Sequence, residues 1–220
     1  FHTGKQGYPD PLGEALTLNN RLQGIALLER ISDKVFSRRL EDNVEHRAWL
    51  RRWWVLRPEY IDWQIEHQVE WAFAAAEQDG EAALTSGRTL KGRVDRIDRN
   101  ASGYAILDYK TGSAPKQDEV DSGEDVQLSS YALLNDALPA RVEYLYVDGR
   151  VRGGASLEGE QLTTLASAVR LRLGEVLDAI AAGTPLPAWG DMHSCRYCEM
   201  DGLCRQQAWL DTPQAAETAT

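Results

Sequence analysis

The sequence predicts an α+β domain in which a mixed central β-sheet is flanked by helices. Three patterns favour this class: apolar residues at helical spacing in the N-terminal third, a strand pair at residues 88–112, and a long amphipathic helix near the C-terminus. The predicted order is helices, three strands, a helix, a strand, a helix and a cysteine-containing segment. Because strands and helices are interleaved, we expect helices on both faces of the sheet.

The N-terminal helical region is expected to occupy residues 1–70. Apolar residues recur every three or four positions from Glu14 to Val55. Three tryptophans continue this pattern and are predicted to lie in the core: Trp49, Trp53 and Trp54. Pro58 is expected to open another short helix that reaches His67, because proline is favoured at the first helical position.

Residues 71–185 are expected to form the sheet and the helices that cover it. The stretch from Trp71 to Leu84 is predicted to be a long first strand that is broken near Asp79, and Arg141–Val147 alternates as another strand does. Glu160–Ala182 is the clearest helix, and Gly183 is expected to end it.

A polar stretch separates the strand pair from the next predicted helix. Ser113–Gly123 is predicted to be a loop. Ser122 and Asp125 are expected to form a capping box for a helix that carries Tyr131.

The strand pair brings two carboxylates and a lysine together. Asp108 and Lys110 are two residues apart on one strand, so their side chains point to the same face. An even-length turn at Asn100–Gly103 places Asp95 of the other strand directly across from Asp108. Like charges opposed in this way destabilise a strand pair. The arrangement therefore predicts a bound divalent cation, although a solvent-exposed Asp–Lys pair is the alternative when these residues are taken alone.

Mg²⁺ or Mn²⁺ suits this set of donors, because both ions prefer hard oxygen ligands. The main-chain carbonyl of Tyr109 is a candidate third ligand. Lys110 would lie beside the ion, where its ammonium group can stabilise the negative charge of a reacting phosphate.

Composition and charge limit the partners of the chain. A 43% hydrophobic and 26% charged composition indicates a globular protein, and no apolar run is long enough to span a membrane. The net charge of −10 argues against nucleic acid, yet basic residues cluster at 38–57 and 88–116. No signal peptide is visible, so a cytoplasmic location is expected.

Three segments taken in order resemble the PD-(D/E)XK nuclease superfamily, and most closely its RecB- and AddB-type exonuclease domains: Gly92–Asp98, Ile106–Gly112 and Gln127-x3-Tyr131. The resemblance covers roughly residues 70–205 and implies a restriction-endonuclease-like core.

The resemblance assigns roles to individual residues. It makes Asp95 and Asp108 metal ligands and Lys110 the catalytic lysine. Gln127 and Tyr131 match a helix motif beside the site, and their i, i+4 spacing puts both on one helical face. Glu77 resembles a further acidic position on the first strand.

The implied function is a Mg²⁺- or Mn²⁺-dependent deoxyribonuclease, an exonuclease that hydrolyses phosphodiesters with metal-activated water in a DNA repair or recombination protein. DNA and a helicase subunit or domain are the implied partners. These nucleases usually carry a helix histidine four residues after a glycine, whereas the nearest match is Gly24-x3-Leu28, and leucine cannot bind metal. The alternatives are a catalytically degenerate domain that binds DNA or a helicase partner, and an interaction module stabilised by zinc or a cluster.

The segment 186–220 contains all three cysteines, Cys195, Cys198 and Cys204. Clustered cysteines in an apparently cytosolic chain favour metal binding over disulfides. They resemble the trailing cysteines of the AddB-type iron–sulfur staple, which implies a [4Fe–4S] cluster with four cysteine ligands. Either the fourth ligand lies upstream in a longer parent chain, or the site is vacant or holds another ion. A zinc site completed by His193 is the alternative.

Overall fold

The computed structural model of the protein describes residues 8–37, 44–84, 87–113, 115–185, 195 and 198–204. The chain divides into two compact units, Phe1–Gly174 and Glu175–Thr220. The boundaries expected from the sequence, 1–70, 71–185 and 186–220, stay a prediction. No helix within the described residues is long and apolar enough to cross a membrane.

The first unit begins with two helices, α1 at Arg21–Ser37 and α2 at Val44–His67. Five strands and two short helices follow in the order β1 (Ala72–Ala83), β2 (Thr89–Asn100), β3 (Gly103–Lys110), α3 (Gln117–Asp121), α4 (Gln127–Ala132), β4 (Arg141–Asp148) and β5 (Arg150–Glu158). Helix α5, at Gly159–Ala181, crosses into the second unit, which also contains a short helical turn at Asp201–Cys204.

The five strands form one mixed sheet in the order β1-β2-β3-β4-β5. Neighbouring strands are antiparallel except for β3 and β4, which are parallel. A parallel pair needs a long crossover connection, and residues 111–140, with α3 and α4, provide it. The predicted fold class, an α+β domain with a mixed sheet flanked by helices, is confirmed.

Each face of the sheet packs against its own set of helices. The α4 face, which carries Ile106 and Val142, packs against Leu128 of α4 and the first half of α5. The α2 face, which carries Leu107 and Leu145, packs against α1 and α2. Successive side chains of a strand point to opposite faces, so the alternation in β3 and β4 supplies both cores.

The prediction of four strands is wrong, because β5 pairs with β4 along the edge of the sheet. The Asp148-Gly149 sequence between them is a hairpin signal, and Gly149 has a positive φ of 70°. Two glycines, Gly153 and Gly154, interrupt the apolar alternation of β5 and so weaken its strand pattern.

Two predictions for the N-terminal helices are also wrong. Pro58 lies inside α2 and does not open a new helix. The lost main-chain hydrogen bond costs about 3 kcal/mol, which the burial of Leu56 and Ile61 on either side of it can offset. Trp49 and Trp54 are 38% and 47% exposed and lie outside the core, each close to an arginine guanidinium.

The connection after β3 differs from the expected loop, because it contains α3. Ser122 caps the C-terminal end of α3, and Val126 precedes α4, so the predicted capping box of Ser122 and Asp125 is wrong. The Glu119 carboxylate instead accepts a 2.8 Å hydrogen bond from the Lys116 main-chain N–H at the start of α3. A capping interaction is therefore present, but one helix earlier.

The predicted break in the first strand near Asp79 is wrong, because Asp79 pairs regularly with Arg93. The strand is irregular at other positions. The register shifts between Phe73 and Ala75, and Glu77 has a positive φ of 53°. The long helix agrees with its prediction, since α5 ends two residues before Gly183, whose φ is 76°.

Replacing Gly80 with alanine is expected to destabilise the protein by about 1–3 kcal/mol. A Cβ atom at Gly80 would lie 2.5 Å from the main-chain oxygen of Leu134, directly after α4, and main chain cannot rotate away. The free energy of unfolding, measured in urea, tests this. Gly153→Ala is the matched control, because a Cβ there meets nothing within 4 Å. The control should be neutral or stabilising by up to about 1 kcal/mol; equal effects would contradict the packing argument.

Candidate metal centre

Asp95 of β2 and Asp108 of β3 lie at the fork, which is the point where these two strands stop pairing and separate. Regular pairing of β2 with β3 runs from Asn100–Gly103 as far as Arg96–Leu107, which is the predicted register. Strand β3 stays paired with β4 as far as Lys110–Tyr146. The two carboxylates come next in the β2–β3 register, where regular pairing stops. Their side chains therefore approach each other from strands that have begun to separate.

The Asp108 carboxylate is 3% exposed and has one well-aligned hydrogen bond, which its Oδ1 accepts from Gln127 Nε2 at 3.0 Å. Lys110 Nζ lies 2.8 Å from Oδ2, but the buried Oδ2 accepts no well-aligned hydrogen bond from the part of the chain that the structure describes. Burial raises the pKa of Asp108, and the charge of Asp95 raises it further, while Lys110 acts in the opposite sense. An additional cation would stabilise this carboxylate.

Asp95 bonds to the main chain of the neighbouring strand. Its Oδ2 accepts a 2.9 Å hydrogen bond from the Tyr109 N–H. The N–H and C=O of a strand residue point to the same side, so the Tyr109 carbonyl also faces the fork. Oxygen donors from both carboxylates and from the main chain therefore lie at the fork. Mg²⁺ commonly takes one or two protein carboxylates, and these donors fit such an ion.

Gln127 connects the lysine to the carboxylate. Its Oε1 accepts a 2.6 Å hydrogen bond from Lys110 Nζ, and its Nε2 donates to Asp108 and, at 2.9 Å, to the Tyr131 hydroxyl. Gln127 and Tyr131 are one helical turn apart on α4, as their spacing predicted. Burial raises the pKa of Tyr131, so its hydroxyl keeps its proton at neutral pH.

Glu77 is not brought to this cluster by the contacts of the structure. It lies opposite Asp95 in the β1–β2 register, but its exposed carboxylate is 3.0 Å from Arg93 Nε. Within the described part of the chain, no three His, Cys, Asp or Glu side chains converge as a metal-binding group. A metal ion at the fork would therefore have two carboxylates and the main-chain carbonyl as its protein ligands, and its further ligands would be water and substrate.

Tyr144 and Asp125 belong to the site but were not among the predicted site residues. Tyr144 pairs with Asp108 across the parallel strands, its hydroxyl donates to Asp125 Oδ1 at 2.6 Å, and Lys110 Nζ lies 4.8 Å from its ring centre. Burial and the Asp125 carboxylate raise the pKa of Tyr144. The alternation of β4 could have identified the face of Tyr144, but its pairing with β3 could not be read from the sequence.

Leu28, at the position of the expected helix histidine, is buried among apolar residues on the α2 face. It lines an apolar cleft of about 430 Å³ together with Trp53, Tyr60 and Tyr109. Among the described residues that line this cleft, Asp148 is the one carboxylate, so they provide no pair of acids like that of the fork.

The three cysteines are described, but they form no disulfides. The Cys198 N–H donates to the Cys195 carbonyl at 3.2 Å. His193 lies outside the described residues. The predicted iron–sulfur or zinc site at Cys195, Cys198 and Cys204 stays a prediction.

The raised pKa of Asp108 predicts a pH dependence of stability in the metal-free protein. A carboxyl group whose pKa is higher in the folded state stabilises the fold fully below its unfolded pKa, and this stabilisation is lost as the pH rises through the folded pKa. The unfolding free energy of the wild type should therefore fall relative to that of Asp108→Asn as the pH rises. Both are measured by urea unfolding in the presence of EDTA. A difference that is constant with pH would contradict the assigned environment of Asp108.

The sequence model of the PD-(D/E)XK nuclease superfamily matches residues 10–205. No curated protein sequence matches the chain. A solved structure titled "Crystal structure of SSO0001" aligns at 23% identity with a TM-score of 0.36, and the alignment covers 59% of each chain. This chain thus spans less than two thirds of that protein, and the similarity is too weak to extend the description of the site.

Proposed function

The chain belongs to the PD-(D/E)XK nuclease superfamily, and from this premise we propose that it is a Mg²⁺- or Mn²⁺-dependent deoxyribonuclease of the RecB/AddB exonuclease type. The observation that carries the proposal is the bonded group of Asp108, Lys110 and Gln127 at the fork between β2 and β3, where Asp95 bonds to the Tyr109 main-chain N–H. We further propose that it works in the cytoplasm as part of a repair or recombination protein with a helicase subunit or domain.

Asp95, Asp108 and the Tyr109 carbonyl would hold the ion, which supplies Lewis-acid activation of the phosphate and of the attacking water. Asp108 suits this role because it is buried beside another carboxylate and has an oxygen without an aligned hydrogen bond. Glu77 would contribute only if its ion pair with Arg93 broke.

Lys110 would stabilise the charge that develops on the phosphate oxygens in the transition state. Its ammonium group is held by Gln127 Oε1 and Asp108 Oδ2, so it needs little reorganisation when the charge appears. Gln127 orients both groups, and the Tyr131 hydroxyl in turn binds Gln127. These contacts support catalytic roles for Lys110, Gln127 and Tyr131.

Basic residues on α2 are better placed to meet DNA phosphates than those of the strand pair. Arg47, Arg51 and Arg52 are exposed. In the strand pair, Arg96 is 1% exposed, and Lys91 and Arg93 already form ion pairs with carboxylates of β1. We therefore assign phosphate contacts to α2, which limits the repulsion expected from the net charge of −10.

Cleavage of end-labelled linear DNA, in single- and double-stranded forms, tests the proposal. With Mg²⁺ or Mn²⁺ we expect nucleotides to be released from DNA ends, circular DNA to be spared, and EDTA to stop the reaction. Cleavage of circular DNA would leave a nuclease but exclude the exonuclease assignment. Binding of DNA without cleavage under any of these conditions would favour the alternative, a degenerate domain, which the leucine at position 28 supports.

We also propose that Cys195, Cys198 and Cys204 contribute three ligands to a [4Fe–4S] cluster in a longer parent chain. The support is their spacing. Iron and sulfide analysis after anaerobic purification should find a cluster in the parent and at most a labile one in this chain. Stoichiometric zinc would instead indicate a zinc site.

A further inference from the structure

A buried arginine lies directly behind the metal centre, on the α2 face of the sheet. Arg96 follows Asp95 in the chain and is 1% exposed. Its Nε donates to both oxygens of Asp98, at 2.8 and 3.0 Å, and its Nη1 donates to Gln64 Oε1 at 2.7 Å. The guanidinium also lies 5.3 Å from the ring centre of Trp63. Strand β2 is thereby attached to helix α2.

The same guanidinium reaches across the fork to β3. Nη1 of Arg96 lies 3.3 Å from the hydroxyl oxygens of both Tyr60 and Tyr109, and these two hydroxyls are 3.0 Å apart. Tyr109 is thus held twice on its β2 side, by its main-chain N–H to Asp95 and by its hydroxyl to Arg96. Both bonds end at Tyr109, which lies beyond the last regular β2–β3 pair, Arg96–Leu107. They take the place of the main-chain hydrogen bonds that regular pairing would form there.

A gain in folding stability does not explain why Arg96 and its partners form this buried network. Nη2 of Arg96 and Nε2 of Gln64 are buried and have no hydrogen-bond partner among the described residues. Each unpaired buried group destabilises the fold, and apolar side chains of similar volume often replace a buried ion pair without loss of stability. What the network does supply is a fixed distance between two strands that are no longer paired.

We propose that Arg96 is a positioning residue for the metal centre, which holds β2 and β3 together through the Tyr109 hydroxyl and so sets the separation of the Asp95 and Asp108 carboxylates. The inference rests on the proposed function, because it assumes that these two carboxylates bind the ion. Groups behind metal ligands commonly change metal affinity tenfold or more when they are removed.

The test is the Mn²⁺ affinity of Tyr109→Phe, measured by calorimetric titration of the metal-free protein. This variant keeps the ring and the main chain but removes the hydroxyl that Arg96 binds. We expect the Kd for Mn²⁺ to rise about tenfold and the Tyr109 amide of the metal-free protein to exchange its hydrogen faster. Arg96→Lys should weaken Mn²⁺ binding in the same way, because lysine keeps the charge but lacks the planar set of N–H donors of the guanidinium.

Tyr104→Phe is the matched control. Tyr104 lies on the same strand, roughly 17 Å away, and its hydroxyl also donates one hydrogen bond, to the Ala137 carbonyl. Its removal should change the Kd by less than about twofold. Wild-type Mn²⁺ affinity in Tyr109→Phe would overturn the inference, whatever the affinity of Arg96→Lys.

Asp108→Asn separates this inference from the function on which it rests. If Asp108→Asn binds Mn²⁺ as the wild type does, the proposed centre itself is wrong. If Asp108→Asn loses Mn²⁺ while Tyr109→Phe keeps full affinity, only the positioning role fails. If Tyr109→Phe fails to fold, Tyr60→Phe is used instead. It removes the hydroxyl that bonds to the Tyr109 hydroxyl and should also raise the Kd for Mn²⁺.

Discussion

Replacing Lys110 with alanine is expected to slow DNA cleavage by about a hundredfold to a thousandfold, while the fold and Mn²⁺ binding are retained. Removal of one preorganised group that stabilises transition-state charge typically costs this much in kcat. Metal binding should not weaken, because the Lys110 ammonium lies 2.8 Å from Asp108 Oδ2 and competes there with the metal's positive charge. Single-turnover cleavage rates and Mn²⁺ titration, made on the same preparation, measure the two effects separately.

Lys91→Ala is the control for the loss of a positive charge near the sheet. Lys91 also lies on β2, but it pairs with β1, is exposed and forms its ion pair with Glu81 on the surface. Its replacement should leave cleavage within about twofold of the wild type, since such pairs contribute about 0–1 kcal/mol. A Lys110→Ala protein that cuts as fast as the Lys91→Ala control would rule out the catalytic role of Lys110.

Replacing Asp108 with asparagine is expected to remove both cleavage and the stabilisation of the fold by Mn²⁺. A ligand that binds only the folded protein stabilises it by about 2.7 kcal/mol at a hundred times its Kd. The wild type should show this gain in urea unfolding, and Asp108→Asn should not. Without metal the variant should be more stable than the wild type at neutral pH, because burial and the neighbouring Asp95 disfavour the charged form of Asp108.

Asp136→Asn provides the comparison for this second variant. Asp136 is an exposed carboxylate, so its loss should change neither Mn²⁺ binding nor metal-free stability. If the Asp108 variant is stabilised by Mn²⁺ as strongly as the Asp136 variant, the ion does not bind at the fork.

Several elements could be predicted because their signals are local. The period of two along β3 determines that Asp108 and Lys110 share a face, and the even-length turn after Asn100 determines the register that brings Asp95 to them. The i, i+4 spacing of Gln127 and Tyr131 determines that they share a helical face. Each of these relations spans fewer than about twenty residues and depends on main-chain geometry alone.

The errors arose where packing between distant segments opposed a local preference. Trp49 and Trp54 have the apolar spacing of core residues, yet α1 and the sheet bury a different face of α2. Pro58 has the local preference of a helix start, but its neighbours Leu56 and Ile61 are buried in one continuous helix. Tertiary burial outweighed helical propensity at these positions.

The sequence by itself determined the pair of opposed carboxylates, the lysine beside them and the class of fold, because strand period, turn length and helical spacing are short-range properties of the chain. Only the tertiary structure decided that Tyr144 lies beside Asp108, that Glu77 turns to Arg93, and that Arg96 is buried behind the fork. The parallel pairing of β3 with β4 and the docking of α2 bring together residues more than thirty positions apart. No local pattern specifies such pairings, since they depend on which surfaces pack best once all the elements have formed.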